Sequence, residues 1–234
     1  MIVPLEYLNK KYFKAMIKNP YQIRFFIDLV QREQKLYRIL EASTKEIKYN
    51  LSKAEEIRRE IYEKMKNYSY HGAMVSPLEG PIIYCIVRIL KPEIVIETGV
   101  ANGASSTFIL NALEENNKGR LYSIDLLSKE LQVKEKEIGW LIPKELRHRW
   151  NLHLGDSKEL LPKFLQQLGY VDIFLHDSLH TLEHVLFELR IASAYIKSGI
   201  LIADDVHPSW INKICNALNI EKHELFNDLL VLKK

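Results

Sequence analysis

The chain has 234 residues, 47% hydrophobic and 27% charged, with a formal net charge of +3. That length holds one sizeable α/β domain plus an appendage, and the balance is ordinary for a globular protein. So mild a charge gives no basic stripe of the kind that binds nucleic acid, and the longest apolar stretch, "GPIIYCIVRIL", is too short to span a bilayer.

The N-terminal text "MIVPLEYLNKKYFKAM" lacks a signal peptide's apolar run and small-residue cleavage site. The two cysteines, Cys85 and Cys215, stand in no metal or redox spacing and suit a reducing compartment. A cytoplasmic protein is the expectation. Residues 1–68 contain no glycine and are rich in Lys, Glu, Arg and Tyr. Phe25, Ile27, Leu29, Val30, Leu36 and Leu40 recur with the period of an amphipathic helix. "SKAEEIRREIYEKMKNY" repeats the signal, with Ser52 a candidate N-cap and Glu55 its capping-box partner. Two or three helices are expected, forming an extension that covers the cofactor side or mediates self-association.

From about residue 69 the pattern changes. Apolar runs at "EIVIET" (93–98), "RLYSID" (120–125), "NLHLG" (151–155), "DIFLH" (172–176) and "ILIADD" (200–205) alternate with helical text, and "HELFNDLLVLKK" looks like a final strand. Strands apolar throughout and separated by helices imply a mostly parallel, doubly wound sheet covered on both faces. In such a sheet the ligand lies outside the carboxyl ends of the strands, and the polar clusters of this sequence fall there.

The first cluster is "VIETGVANGASS". Gly99 permits a tight turn and Gly103 a close approach of backbone to ligand. The spacing departs from the dinucleotide fingerprint, and Glu97 is expected to face the place of a phosphate, disfavouring an anion. Asp125 closes the second strand, where an acid commonly holds a ribose, and Asp156 follows the third.

With those residues in view, 70–206 resemble a class I S-adenosylmethionine-dependent methyltransferase. The resemblance implies a seven-stranded Rossmann-like domain over 69–234. It implies cofactor binding by Glu97, Gly99, Gly103, Ser105 after the glycine loop, Asp125 on the ribose and Asp156 near the adenine. "MVSPLEGPIIY", with Ser76, resembles the lead-in of small-molecule O-methyltransferases that folds over the cofactor.

Two further strand ends open into polar residues: "VDIFLHDSLHT" and "GILIADDVH". Catechol-type O-methyltransferases carry an acid at the first position and Asp-Asn at the second, and these hold Mg²⁺ against the acceptor hydroxyls. Here Asp177 stands first and Asp204–Asp205 second, which is similar to the macrocin-type sugar enzymes. His180, three residues after Asp177, falls where the general base lies. Carboxylate oxygens suit Mg²⁺. Four of the eight histidines, His176, His180, His184 and His207, crowd this region, and imidazoles would favour Mn²⁺, Fe²⁺ or Zn²⁺. The alternatives are a cephalosporin-hydroxylase-like protein on the same fold and a non-catalytic cofactor-binding or interaction protein. Asp177 could also simply cap the next helix.

The expected activity is metal-assisted O-methyl transfer to a small hydroxylated molecule such as a sugar or polyphenol. "YFKAMIKNPYQIRFF", "EKEIGWLIPKELRHRW" and "VHPSWIN" are the candidate acceptor segments. Trp140 and Trp210 are candidates to stack a ring, and Trp150, opening a strand, is expected in the core.

Overall fold

The computed structural model describes residues 31–65, 79–126 and 137–234. Two helical segments come first: α1 over 31–40 and α2 over Thr44–Met65. Then α3 (Glu79–Leu90), β1 (Ile94–Thr98), α4 (Ala104–Glu115) and β2 (Arg120–Asp125) follow in order. A 3₁₀ turn (Lys144–Arg149) leads into β3 (Trp150–Leu154), α5 (Ser157–Leu168), β4 (Ile173–His176) and α6 (Leu182–Tyr195). The chain finishes with β5 (Ile200–Ala203), α7 (Ile211–Leu218), β6 (His223–Phe226) and β7 (Leu229–Lys233). No helix among the described residues is long and apolar enough to cross a membrane.

The seven strands make one sheet in the order β3-β2-β1-β4-β5-β7-β6. Strands β1 to β5 are parallel, and β7 runs antiparallel to both β5 and β6. The chain winds outward from β1 to β3, then returns to place β4 on the other side of β1. That reversal opens a crevice above the carboxyl ends of β1 and β4. The doubly wound, mostly parallel sheet is thus the one the alternating apolar runs predict. The central strands β1, β4 and β5 are buried on both faces because helices cover both, while β3 and β6 at the sheet edges are only partly covered.

Two differences from the sequence expectation have physical causes. "HELFNDLLVLKK" is a hairpin, not one strand. Asn227 adopts φ 59°, a left-handed conformation that asparagine tolerates, and the Asn227–Asp228 pair turns the chain between β6 and β7. Ser52 is not an N-cap. It lies inside α2, its Oγ donating to the Tyr49 carbonyl at 2.7 Å. The helix starts earlier because Ile47, Leu51, Ala54, Ile57, Ile61 and Met65 form one unbroken buried stripe. Its cap is Ser43, whose Oγ accepts from the Glu46 amide at 3.2 Å.

Leu36, Ile39, Ile47 and Leu51 of the first two helices share one apolar core with Ile82 and Ile86 of α3, Phe108 of α4 and Val231 of β7. Each such side chain, fully buried, contributes roughly 1.5–3 kcal/mol. Residues 1–30, and with them Phe25, Ile27, Leu29 and Val30, lie outside the described residues, as does Ser76.

Candidate active site

A cleft of about 420 Å³ lies over the crevice between β1 and β4. Its walls come from the loops after four parallel strands: Gly99–Ala101 after β1, Asp125–Leu126 at β2, Gly155–Lys158 after β3 and Asp177–Leu179 after β4, with His184 of α6 beneath.

The loop after β1 is held by Asp125. Its Oδ2 accepts from the amides of Val100 at 2.6 Å and Ala101 at 2.9 Å. Burial raises the Asp125 carboxyl above its ordinary range, and the two amide bonds oppose that shift. Gly99 sits at φ 85°, and a Cβ there would stand 1.7 Å from the Asp177 carbonyl oxygen. Only glycine lets the β1 and β4 loops meet, and their contact is fixed by the Asp177 amide donating to the Thr98 carbonyl at 2.8 Å. Gly103, at φ 84°, is also a close-approach position, but the approaching backbone is the chain's own: a Cβ would meet Gly139 Cα at 2.7 Å. Asp156 lines the cleft and caps α5, its Oδ1 accepting from the Lys158 amide at 2.8 Å.

Glu97 does not face the cleft as expected. Successive strand residues point to opposite sides of the sheet, and Glu97 turns under the start of α4. There it is fully buried, accepting hydrogen bonds from Ser106 at 2.5 Å, Ser123 at 2.6 Å and Ser105 at 3.4 Å. Ser105 therefore lies behind the loop too. Trp150 joins this knot, its Nε1 donating to Ser123 Oγ at 2.8 Å, while Trp140 Nε1 donates to Asn102 Oδ1 at 2.8 Å. Burial, with the charge of Asp125, pushes the Glu97 carboxyl up to about 7, against the pull of the three hydroxyls. Its folded pKa therefore exceeds its ordinary 4.5. The fold holds the proton more tightly than the unfolded chain, so this contribution to stability is full below pH 4.5 and is lost as pH rises through 7. Melting temperature should fall between about pH 5 and 8, and Glu97→Gln should flatten that limb. A parent curve with no such limb, or one the substitution leaves unchanged, would contradict the assignment.

The two polar strand ends meet because β4 and β5 are neighbours, with His176 paired to Ala203. Asp177 shares a hydrogen bond with Asp204, and its carboxyl is held well above the carboxylate range by burial and then by the Asp204 charge. Asp204 is itself pushed up to about 7 by burial and by Asp205 and Asp228. His180 Nε2 stands 3.8 Å from Asp177 Oδ1 and 3.7 Å from Asp205 Oδ2, with 34% of its side chain exposed. Asp205 is the positive-φ residue of its turn, at 54°. Asp177, His180, Asp204 and Asp205 thus come together at the mouth of the crevice.

Of the four crowded histidines, only His180 stands beside these acids. His207 is exposed and caps the turn at Ser209. His176 and His184 belong to a buried knot that the sequence reading missed. Its centre is Glu188 on α6, with no exposed surface. Glu188 accepts from Thr98 Oγ1 at 2.5 Å and Ser178 Oγ at 3.0 Å, and pairs with His176 Nδ1 at 2.6 Å and His184 Nε2 at 2.8 Å. Ser157 Oγ at the start of α5 completes it, 3.1 Å from His184 Nε2. Burial drives the Glu188 carboxyl up, but bonds and charge from His176, with bonds from Ser157 and Thr98, outweigh it and bring the group to about 2. The signal was the i, i+4 spacing of His184 and Glu188 on a helix face that packs against the strand end holding His176.

Residues 96–206 match a family model described as a methyltransferase domain. No curated protein matches the sequence. Among solved structures, an O-methyltransferase described as putative from Klebsiella pneumoniae superposes with a TM-score of 0.55 at 17% identity, covering 76% of this chain and 88% of that one. TomG from Streptomyces achromogenes, an O-methyltransferase of tomaymycin synthesis in complex with SAM, gives 0.51 at 18% identity over 79% and 88%. An O-methyltransferase from Bacillus cereus in complex with SAH gives 0.51 at 14% identity over 86% and 96%.

Proposed function

We propose that the chain is a class I S-adenosylmethionine-dependent methyltransferase that methylates a hydroxyl oxygen of a small molecule, a sugar, polyphenol or related metabolite, with the help of a divalent cation. The observation that carries this reading is the meeting of His180 with Asp177, Asp204 and Asp205 at the mouth of the cofactor cleft. The solved relatives named as O-methyltransferases give it further support.

The cleft suits the methyl donor. Its volume lies in the range of small-molecule sites, and it sits at the sheet's switch point. Asp125 commits Oδ2 to the loop and takes no protein hydrogen bond on Oδ1 among the described residues, which leaves that oxygen for ribose hydroxyls. Asp156 is the candidate partner of the adenine amino group. The cation site also fits. Asp204 Oδ1 is shielded from solvent with no hydrogen-bond partner among the described residues, an expensive state that a cation would relieve. The donors are carboxylate oxygens, which favour Mg²⁺ over the softer ions that an imidazole-rich set would take, since His176 and His184 are engaged with Glu188. A bound cation would lower the pKa of a nearby hydroxyl and so ease removal of its proton. Asp177, Asp204 and Asp205 are the residues that would hold it.

His180 then takes the proton from the acceptor hydroxyl. The oxygen forms the new bond to the methyl carbon as the carbon–sulfur bond breaks, and the sulfur departs as a neutral thioether. No charged leaving group needs stabilising, so the chain's task is alignment and proton removal.

Asp125→Ala tests the cofactor assignment. It removes charge-assisted hydrogen bonds to ribose and should weaken S-adenosylhomocysteine binding by about 1–3 kcal/mol in calorimetry. Binding of NAD by the parent, with no response to S-adenosylhomocysteine, would overturn it.

A further inference from the structure

The glycine loop after β1 carries a strained residue. Ala101 adopts φ 47°, the left-handed region that a residue with a Cβ enters at a cost. Such a conformation persists only where its surroundings over-determine it. Ala101 lines the cleft, and both of its backbone groups are held. Its amide donates to Asp125 Oδ2, and its carbonyl accepts from the Gly139 amide at 2.9 Å. Asn102 is pinned in the same way. Its carbonyl accepts from the Leu141 amide at 3.0 Å, and its Oδ1 from Trp140 Nε1 at 2.8 Å. Gly139, Trp140 and Leu141, from the chain between β2 and β3, thus all bond to Ala101 and Asn102 of the glycine loop. Ile138 packs on Val100 of the same loop. Gly139 is itself anchored from behind. At φ 69°, a Cβ on it would stand 2.5 Å from the Trp150 ring, and its carbonyl accepts from Arg147 Nη2 at 3.0 Å.

We infer that Trp140 and Asn102 are positioning residues for the methyl donor: their bond holds the glycine loop in the strained form that the ligand meets, and residues 139–141 serve the donor and not the acceptor. This rests on the reading of the cleft as the S-adenosylmethionine site and deepens it. Asn102 is 1% exposed, and its Nδ2 has no hydrogen-bond partner among the described residues. Trp140 Nε1 is therefore the group that satisfies its side chain. Without that N–H the whole buried amide is unpaired, a cost that falls on the pinned form of the loop and not on forms that turn Asn102 towards water. The loop then populates the binding form less, and apparent affinity for the donor drops in proportion.

The test is calorimetric titration of S-adenosylhomocysteine into the full chain, Trp140→Phe, Asn102→Leu and the double variant. Phenylalanine keeps a ring to pack on the core and removes the N–H. Each single variant should bind about tenfold more weakly, the scale of one buried hydrogen bond lost. The double variant should bind no more weakly than the poorer single, because both substitutions remove the same bond. A contact that only stabilises the fold would lower the melting temperature and leave affinity alone. Parental affinity in Trp140→Phe, with or without such a fall in melting temperature, would therefore overturn the inference while the cofactor reading stands. So would losses that add in the double variant. If the parent binds no S-adenosylhomocysteine, both fall. Should Asn102→Leu fail to fold, Trp140→Phe decides the matter alone.

Discussion

Glu188→Ala is expected to lower folding stability by about 3–5 kcal/mol, the usual consequence of breaking a buried, paired charge. The carboxylate is wholly buried and joins five groups from four places: Thr98 at the end of β1, His176 and Ser178 around the end of β4, and His184 on its own helix, with Ser157 of α5 behind it. Removing it leaves two imidazoles and two hydroxyls without their shared acceptor in a dry interior, and each orphaned group carries its own penalty. The pH dependence identifies the cause. A carboxyl brought down to about 2 in the fold stabilises fully above its ordinary 4.5, and that contribution is lost as pH falls through 2. Urea denaturation of the parent should show an acid limb that Glu188→Ala lacks. Because Ser157, Ser178 and His184 all line the cleft, the variant should also bind S-adenosylhomocysteine more weakly. Equal stability of parent and variant at neutral pH would show that the knot contributes nothing.

His180→Ala is expected to lower kcat by about 10²–10⁴-fold, the range for a lost general base. Its imidazole is the only one of the four crowded histidines placed beside Asp177 and Asp205, at 3.8 and 3.7 Å, and it is partly exposed at the cleft mouth, where an acceptor hydroxyl would arrive. It takes part in neither the Glu188 knot nor the contacts that hold the β1 loop. Folding stability, Mn²⁺ affinity and the binding of S-adenosylhomocysteine should therefore stay near parental values. The fall should appear in kcat more than in the KM for the methyl donor, because the proton is removed only as the reaction proceeds. The variant should also lose the pH dependence that a general base imposes on the rate. A variant at full rate with the parental pH profile would remove His180 from the chemistry.

The sheet was legible because its central strands are buried on both faces. Runs such as "EIVIET" and "DIFLH" have no solvent face, and their positions followed from continuous apolarity rather than alternation. The strand-end acids were legible as positions, since a parallel sheet places every carboxyl end on one edge. Side-chain direction was not. Glu97 and Asp125 are both acids near the glycine loop, yet one turns under α4 and the other holds the loop, a choice set by strand alternation and by three distant serines. Ser52 misled because a Ser-x-x-Glu pair marks a cap only where the apolar stripe begins, and here the stripe begins at Ile47. The Glu188 knot escaped for another reason. Apart from the i, i+4 pair of His184 and Glu188, it joins residues far apart in the chain that no local period connects.

The central claim is cation-assisted transfer of a methyl group to oxygen at the acids of β4 and β5. Its most direct test is the transfer of labelled methyl from S-adenosylmethionine to a panel of sugars and polyphenols, measured with and without EDTA and then with Mg²⁺ restored. Label should appear on a hydroxyl oxygen of at least one acceptor, disappear with EDTA and return with Mg²⁺. Label transfer that continues undiminished in EDTA, or that falls on nitrogen or carbon, would contradict the account.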